Sequence, residues 1–155
     1  MIESYWQAFL ATLPADSPYR SRSYVAESFG DNPALADELG SLVLDGIKTG
    51  TCSALWEWEA EAKPIPSPGL VCIMLDGKER PICIVETIAV SIRRFDEVDG
   101  VFARSEGEGD LSLAYWREAH ENFFRRTLPA IGRRFSISMP LVCETFRVIY
   151  RGQST

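Results

Sequence analysis

The chain has 155 residues, 46% apolar and 25% charged, with a net charge of −6. That size fits one domain with a self-sufficient core and excludes a disordered chain or a scaffold held only by disulfides. No apolar run approaches the roughly 18 residues of a membrane span, and Met1-Ile-Glu-Ser-Tyr-Trp lacks the basic start of a secretion signal, so a cytoplasmic protein is expected.

Ile2, Tyr5, Trp6, Phe9, Leu10 and Leu13 have helical spacing, and Pro14 and Pro18 end that helix. Residues 1–22 are therefore expected to form a helical extension. A domain over residues 23–152 should follow, and the two should make one compact unit. Ser23–Phe29 is short and extended in character. Asp31-Asn32-Pro33 reads as a helix start, a polar cap before proline. Leu35, Leu39, Leu42 and Val43 would face the core, with Gly46 in the left-handed position that closes many helices. Lys48–Trp58 reads as a turn and a strand. Glu59–Gly69 carries Pro64, Pro66 and Pro68 and reads as a loop that could cover a neighbouring pocket. Leu70–Leu75 and Pro81–Ile92 read as strands around Asp76-Gly77. Glu97–Ala103 is a short helix. Glu106-Gly-Glu-Gly-Asp110 is an acidic, glycine-rich loop, and Asp110 or Ser112 caps the next helix. That helix runs to about Leu128, with Trp116, Ala119, His120, Phe123 and Phe124 on one face. Leu141–Tyr150 is the final strand. The order is not a strict alternation of strand and helix, which disfavours a doubly wound parallel sheet. An α+β fold is expected, a small barrel or strongly curved sheet with flanking helices.

Asp45-Gly-Ile-Lys-Thr-Gly-Thr-Cys-Ser53 is the segment with chemical potential. Lys48 follows a helix-ending glycine and would sit at the mouth of a pocket. Thr51 and Ser53 would share one strand face, with Cys52 turned towards the core. A lysine in a half-buried cleft is more readily neutral, and a neutral amine can take a proton from a hydroxyl or a water. The plainer reading is a lysine that caps helix carbonyls beside ordinary strand hydroxyls.

Four cysteines, Cys52, Cys72, Cys83 and Cys143, form no closely spaced pair, and His120 is the single histidine. Reduced, buried thiols fit better than zinc ligands. Glu106, Glu108 and Asp110 could hold a divalent cation, but three loop acids more often stay solvated or cap a helix. No metal and no cofactor is expected. His120 reads as a satisfied core or rim residue. Trp56, Trp58 and Trp116 could stack a base or simply pack the core.

The spacing Gly46-x-Lys48-x-x-Thr51 resembles the G-x-K-x-x-T-x-R motif of ASCH domains, relatives of the PUA-like RNA-binding barrels. Ala26-Glu-Ser-Phe-Gly-Asp31, Glu106-Gly-Glu-Gly-Asp110, Ser112 and Trp116-Arg-Glu-Ala-His120 are similar to the larger bacterial branch of that family. The resemblance covers roughly Tyr24–Tyr150. Ser53 stands where the motif has arginine, which weakens any phosphate- or carboxylate-binding role there. The resemblance implies a PUA-like small β-barrel with flanking helices. It also implies hydrolysis of an N4-acetylcytidine-type amide by a Lys/Thr/Glu group, carried here by Lys48, Thr51 and Glu106. Glu108 is the fallback for the acid. Ser53, Trp56, Glu108, Ser112 and Trp116 are the substrate-binding candidates. A metal-independent ribonuclease for single-stranded RNA and a non-catalytic RNA-binding module are the alternatives.

Charge distribution bears on the partner. Residues 1–110 carry nine basic and nineteen acidic side chains, residues 111–155 seven basic and three acidic. The acidic part disfavours a long nucleic acid and suits a modified nucleoside. A local patch of Arg125, Arg126, Arg133, Arg134, Arg147 and Arg151 could still hold a phosphate or two of a single-stranded RNA, and the plainer reading is a solvated basic surface. No obligate protein partner is inferred.

Overall fold

The computed structural model describes residues 1–152. Five strands form one sheet: β1 (Val25–Glu27), β2 (Gly50–Ala54), β3 (Val71–Leu75), β4 (Pro81–Arg94) and β5 (Pro140–Tyr150), in the order β1-β3-β4-β5-β2. Only the β1–β3 ladder is parallel. The expected α+β fold is present, and the small barrel takes the form of a half-barrel. Its ring stays open because no ladder joins β1 to β2 among the described residues. Register shifts near Ile84/Val85 and Thr87/Ala89 interrupt the long β4–β5 ladder, where such irregularities bend a strand and sharpen its twist.

The pleat sends alternate residues to two different cores. On one face Cys72, Met74, Cys83, Val85 and Phe146 pack against Val43 of α2 (Pro33–Leu44). On the other, Val71, Ile73, Leu75 and Ile84 meet Trp6, Phe9 and Leu10 of α1 (Ile2–Ala11). Further along that face, Ala54, Leu141 and Cys143 meet α4 (Gly100–Ser105) and α5 (Leu113–Thr127) through Phe102, Trp116 and Phe124. The helix starts follow the capping rules: Asn32 accepts from the Leu35 N–H, Asp99 from Phe102 and Ser112 from Tyr115.

One segment departs from expectation. The strand after Lys48 stops at Ala54, and Leu55–Ala60 forms α3 instead of extending it to Trp58. Leu-Trp-Glu-Trp-Glu-Ala contains no β-branched residue and several good helix formers. Trp56 then packs onto the α4–α5 core.

The N-terminal helix is part of that architecture. Trp6 and Phe9 are buried. Behind them the Tyr19 hydroxyl and the guanidinium groups of Arg22 and Arg147 all reach Glu86 on β4, at 2.6–3.1 Å. Trp6→Ala should therefore cost about 3–5 kcal/mol, the usual loss for truncating a buried aromatic, measured by urea denaturation. A loss below ~1 kcal/mol would mean that the helix merely rests on the sheet.

Candidate functional site

Lys48 is placed by backbone before its side chain matters. After α2, Gly46 takes φ +76°, and the N–H groups of Gly46, Ile47 and Lys48 close on carbonyls of Val43 and Leu42. This is the glycine-terminated helix end expected from the sequence. Thr49 then donates to the Ser105 carbonyl at 2.7 Å, and the Thr49 carbonyl accepts from Phe146 N–H. The segment is thereby tied to the end of α4 and to β5. Gly107, at φ +75°, crosses so near that a Cβ would lie 2.8 Å from the Ile47 carbonyl oxygen. Only glycine allows that approach.

These constraints bring Lys48 and Glu106 together across 58 residues of sequence. The Lys48 ammonium donates to Glu106 Oε1 at 3.2 Å and to the Glu106 carbonyl at 3.3 Å, and Glu108 Oε2 is 3.6 Å away. Lys48 and Glu106 are each only 2% exposed. Lys48 was expected at a pocket mouth; it is instead an interior group, covered because the acidic loop folds over it. Its Nζ also lies 5.3 Å from the centre of the Phe29 ring, which stacks on Phe146.

The other Glu106 oxygen is held as well. Oε2 accepts the Trp116 indole N–H and lies 3.2 Å from His120 Nε2. Burial works against the Glu106 charge, but Lys48, His120 and Trp116 together outweigh it and hold the carboxyl at about 2. Glu106 is therefore held as a carboxylate between Lys48 and the donors of α5. His120 was expected as a packed core or rim residue, and the sequence carried no signal that its ring would reach Glu106. Cys52 shares this cluster: its Sγ, a Glu106 oxygen and a His120 nitrogen lie within 4.8 Å of one another. This donor set differs from the three acids considered from the sequence. Both Glu106 oxygens already accept protein donors, and burial, reinforced by Glu106, holds the Cys52 thiol well above its ordinary value.

The remaining candidates divide by position. Thr51 lies opposite Glu144 in the β2–β5 ladder, on the face away from Cys52. No side-chain hydrogen bond joins it to Lys48 or Glu106 among the described residues. Ser53 Oγ accepts from the Trp58 indole at 2.8 Å. Trp56 lies under the Arg133 guanidinium at 4.7 Å. Glu108 is the outer partner of Lys48, and Ser112 caps α5. Trp116 is buried, with ring contacts to His120 and Phe95. Asp110 accepts from the Ser112 N–H, so this acid organises the start of α5. The expected arginine patch is largely engaged: Arg125 with Glu121, Arg126 with Asp31, Arg147 with Glu86, and Arg151 with the Leu44 carbonyl.

On the Thr51 face, two carboxyl groups were missed because each sits alone in an apolar strand. Burial, then the nearby Glu27, pushes the Glu144 carboxyl up to about 7, against a 3.4 Å hydrogen bond from Thr87. Glu27, exposed on β1, supplies the like charge that adds to this rise.

The ASCH domain family model matches residues 25–150. An ASCH domain from Lactobacillus crispatus JV V101 is 33% identical, with a TM-score of 0.91 over 96% of this chain and 94% of its own. A protein from Enterococcus faecalis V583 is 34% identical, with a TM-score of 0.83 over 95% and 86%. No curated protein matches the chain significantly.

The Glu144 environment sets a pH test. Its folded value of about 7 exceeds its ordinary 4.5, so the folded chain holds a proton that the unfolded chain releases. Stability from this group is complete below about 4.5 and is lost as pH rises through about 7. Glu144→Gln should raise Tm relative to wild type at pH 8 and change it little at pH 5. Scanning calorimetry showing the same shift at both values would contradict this assignment.

Proposed function

The chain belongs to the ASCH domain family, generally RNA-binding or hydrolase-like, and we propose that it hydrolyses the amide of an N4-acetylcytidine-type nucleoside. The observation that supports this reading is the buried Lys48–Glu106 pair, assembled from two segments that local structure has no reason to join. In this reading Lys48 is the base that activates Thr51 or a water, and Glu106 fixes its direction. Glu108, the more distant and more exposed of the two carboxylate partners, is the one that gives way when substrate approaches. Phe29, half-buried and backed by the core residue Phe146, borders the ammonium and offers a ring for a nucleobase.

A small nucleoside is favoured over long RNA because four arginines of the basic segment already have acceptors. A ribonuclease would use the same lysine on a ribose hydroxyl, and a binding module would keep the pocket without turnover. N4-acetylcytidine and a short single-stranded RNA, assayed together, separate the three.

Lys48→Met alone strands a buried carboxylate, a change that commonly costs 3–5 kcal/mol. Lys48→Met combined with Glu106→Gln removes both charges and should fold. Its turnover should fall by about two to four orders of magnitude, the range for losing a general base, and little further than in Glu106→Gln alone. Thr51→Ala then separates the nucleophiles: a comparable loss assigns attack to the hydroxyl, a small one to water. A folded double variant with wild-type turnover would sink the mechanism.

A further inference from the structure

We infer that His120 stands as an imidazolium and is the positioning residue that fixes Glu106 for Lys48, an inference that rests on the hydrolase reading for its catalytic consequence. His120 Nδ1 lies 2.9 Å from the Trp116 carbonyl oxygen. A carbonyl can only accept, so Nδ1 carries a proton. Nε2 lies 3.2 Å from Glu106 Oε2, and an ionised carboxylate likewise can only accept. A neutral ring with its proton on Nδ1 would turn an unprotonated nitrogen towards a carboxylate oxygen, lone pair against lone pair. With both nitrogens protonated, Nδ1 keeps its hydrogen bond and Nε2 forms an ion pair with Glu106.

The surroundings fit that charge. The imidazole ring lies on the Trp116 indole, with centroids 4.3 Å apart and planes 19° from parallel, an arrangement that favours a cation. The groups facing it from other elements are Glu106 at the end of α4, Glu108 in the following loop, Lys48 before β2 and Cys52 on β2. Burial alone would discharge the ring, but Glu106, the Trp116 carbonyl and Glu108 together raise it above its ordinary value. Lys48 and His120 then supply two positive charges, and Glu106 and Glu108 two negative ones. The buried cluster is balanced without an ion.

The balance has a consequence for Lys48. Held between two cations, Glu106 presents Oε1 to Lys48 while Oε2 is committed to His120 and Trp116. Loss of the His120 proton leaves Oε2 to the Trp116 indole alone, so the carboxylate is held less firmly and Lys48 loses part of its fixed direction. His120 thus positions Glu106, and through it Lys48, without touching the substrate.

The test begins with the intact protein and no substrate. Nitrogen NMR of the imidazole should show both ring nitrogens protonated at pH 7, and Glu106→Gln should shift the ring to the neutral form at that pH. A wild-type ring that is neutral at pH 7 overturns the inference. So does stoichiometric Zn²⁺ binding that requires His120 and Cys52. His120→Phe keeps the stack on Trp116 and removes both donors. His120→Gln keeps a neutral donor and serves if the phenylalanine variant fails to fold. With N4-acetylcytidine, His120→Phe should lower kcat about a hundredfold, the scale for a misplaced catalytic group, with little change in KM. Wild-type activity should fall on the alkaline side as the ring loses its proton, His120→Phe should lack that limb, and His120→Gln should recover part of kcat. Unchanged kcat and pH profile in a folded variant overturn the positioning role. A wild type inert on both substrates sinks the hydrolase reading and the catalytic consequence with it, while the spectra still decide the charge of the ring.

Discussion

Lys48 and Glu106 are oppositely charged, 3.2 Å apart and almost wholly removed from water. Desolvating such a pair costs several kcal/mol per ion, and attraction between the two recovers it only when every remaining donor and acceptor is satisfied. That requirement explains much of the local architecture. The Lys48 ammonium takes the Glu106 carboxylate, the Glu106 carbonyl and the more distant Glu108. The second Glu106 oxygen takes Trp116 and His120 from α5. The end of α2, the acidic loop and the middle of α5 therefore converge on one ion pair.

Convergence needs the backbones to come close, which is where glycine matters. Gly46 turns the chain out of α2, and Gly107 lets the acidic loop cross directly over Ile47. The hydrogen bond from Thr49 to the Ser105 carbonyl fixes the two segments in register at the same crossing. A rigid frame of this kind is what an orienting carboxylate demands, since its effect depends on direction as much as on charge.

The fold was legible because its signals were periodic or local. Helical spacing marked α1 and α5, Asn32-Pro33 marked the start of α2, apolar runs around Asp76-Gly77 marked β3 and β4, and β-branched and aromatic residues marked β5. The motif around Lys48 and the acidic loop pointed to the two members of the ion pair. His120 was not legible as a site residue, because helical spacing places it on the inward face without saying which neighbour it meets. Glu27 and Glu144 were missed because a single acid in an apolar strand has no local signature. Their proximity arises only when β1 and β5 join one sheet. The helix after Ala54 was missed because Trp56 and Trp58 suit a strand as well as a helix, and packing against α4 and α5 decides between them.

The two faces of β2 carry different chemistry, and that division shapes how a reaction could proceed. Cys52 turns towards Glu106 and His120, a buried cluster whose charges are mutually satisfied. Thr51 turns the other way, with Glu144 across the ladder and Phe146 further along the same strand. Lys48 belongs to both regions: its ammonium is bonded to Glu106, yet it also lies near Phe29, which stacks on Phe146. A charge clamped on one side and bordered by an aromatic surface on the other can be set by the first region while it acts in the second. The cluster of Glu106, His120 and Trp116 holds the lysine on one side, and Thr51 and the half-buried Phe29, backed by Phe146, border it on the other. On this division the carboxylate, with the imidazolium behind it, fixes the position and direction of the lysine.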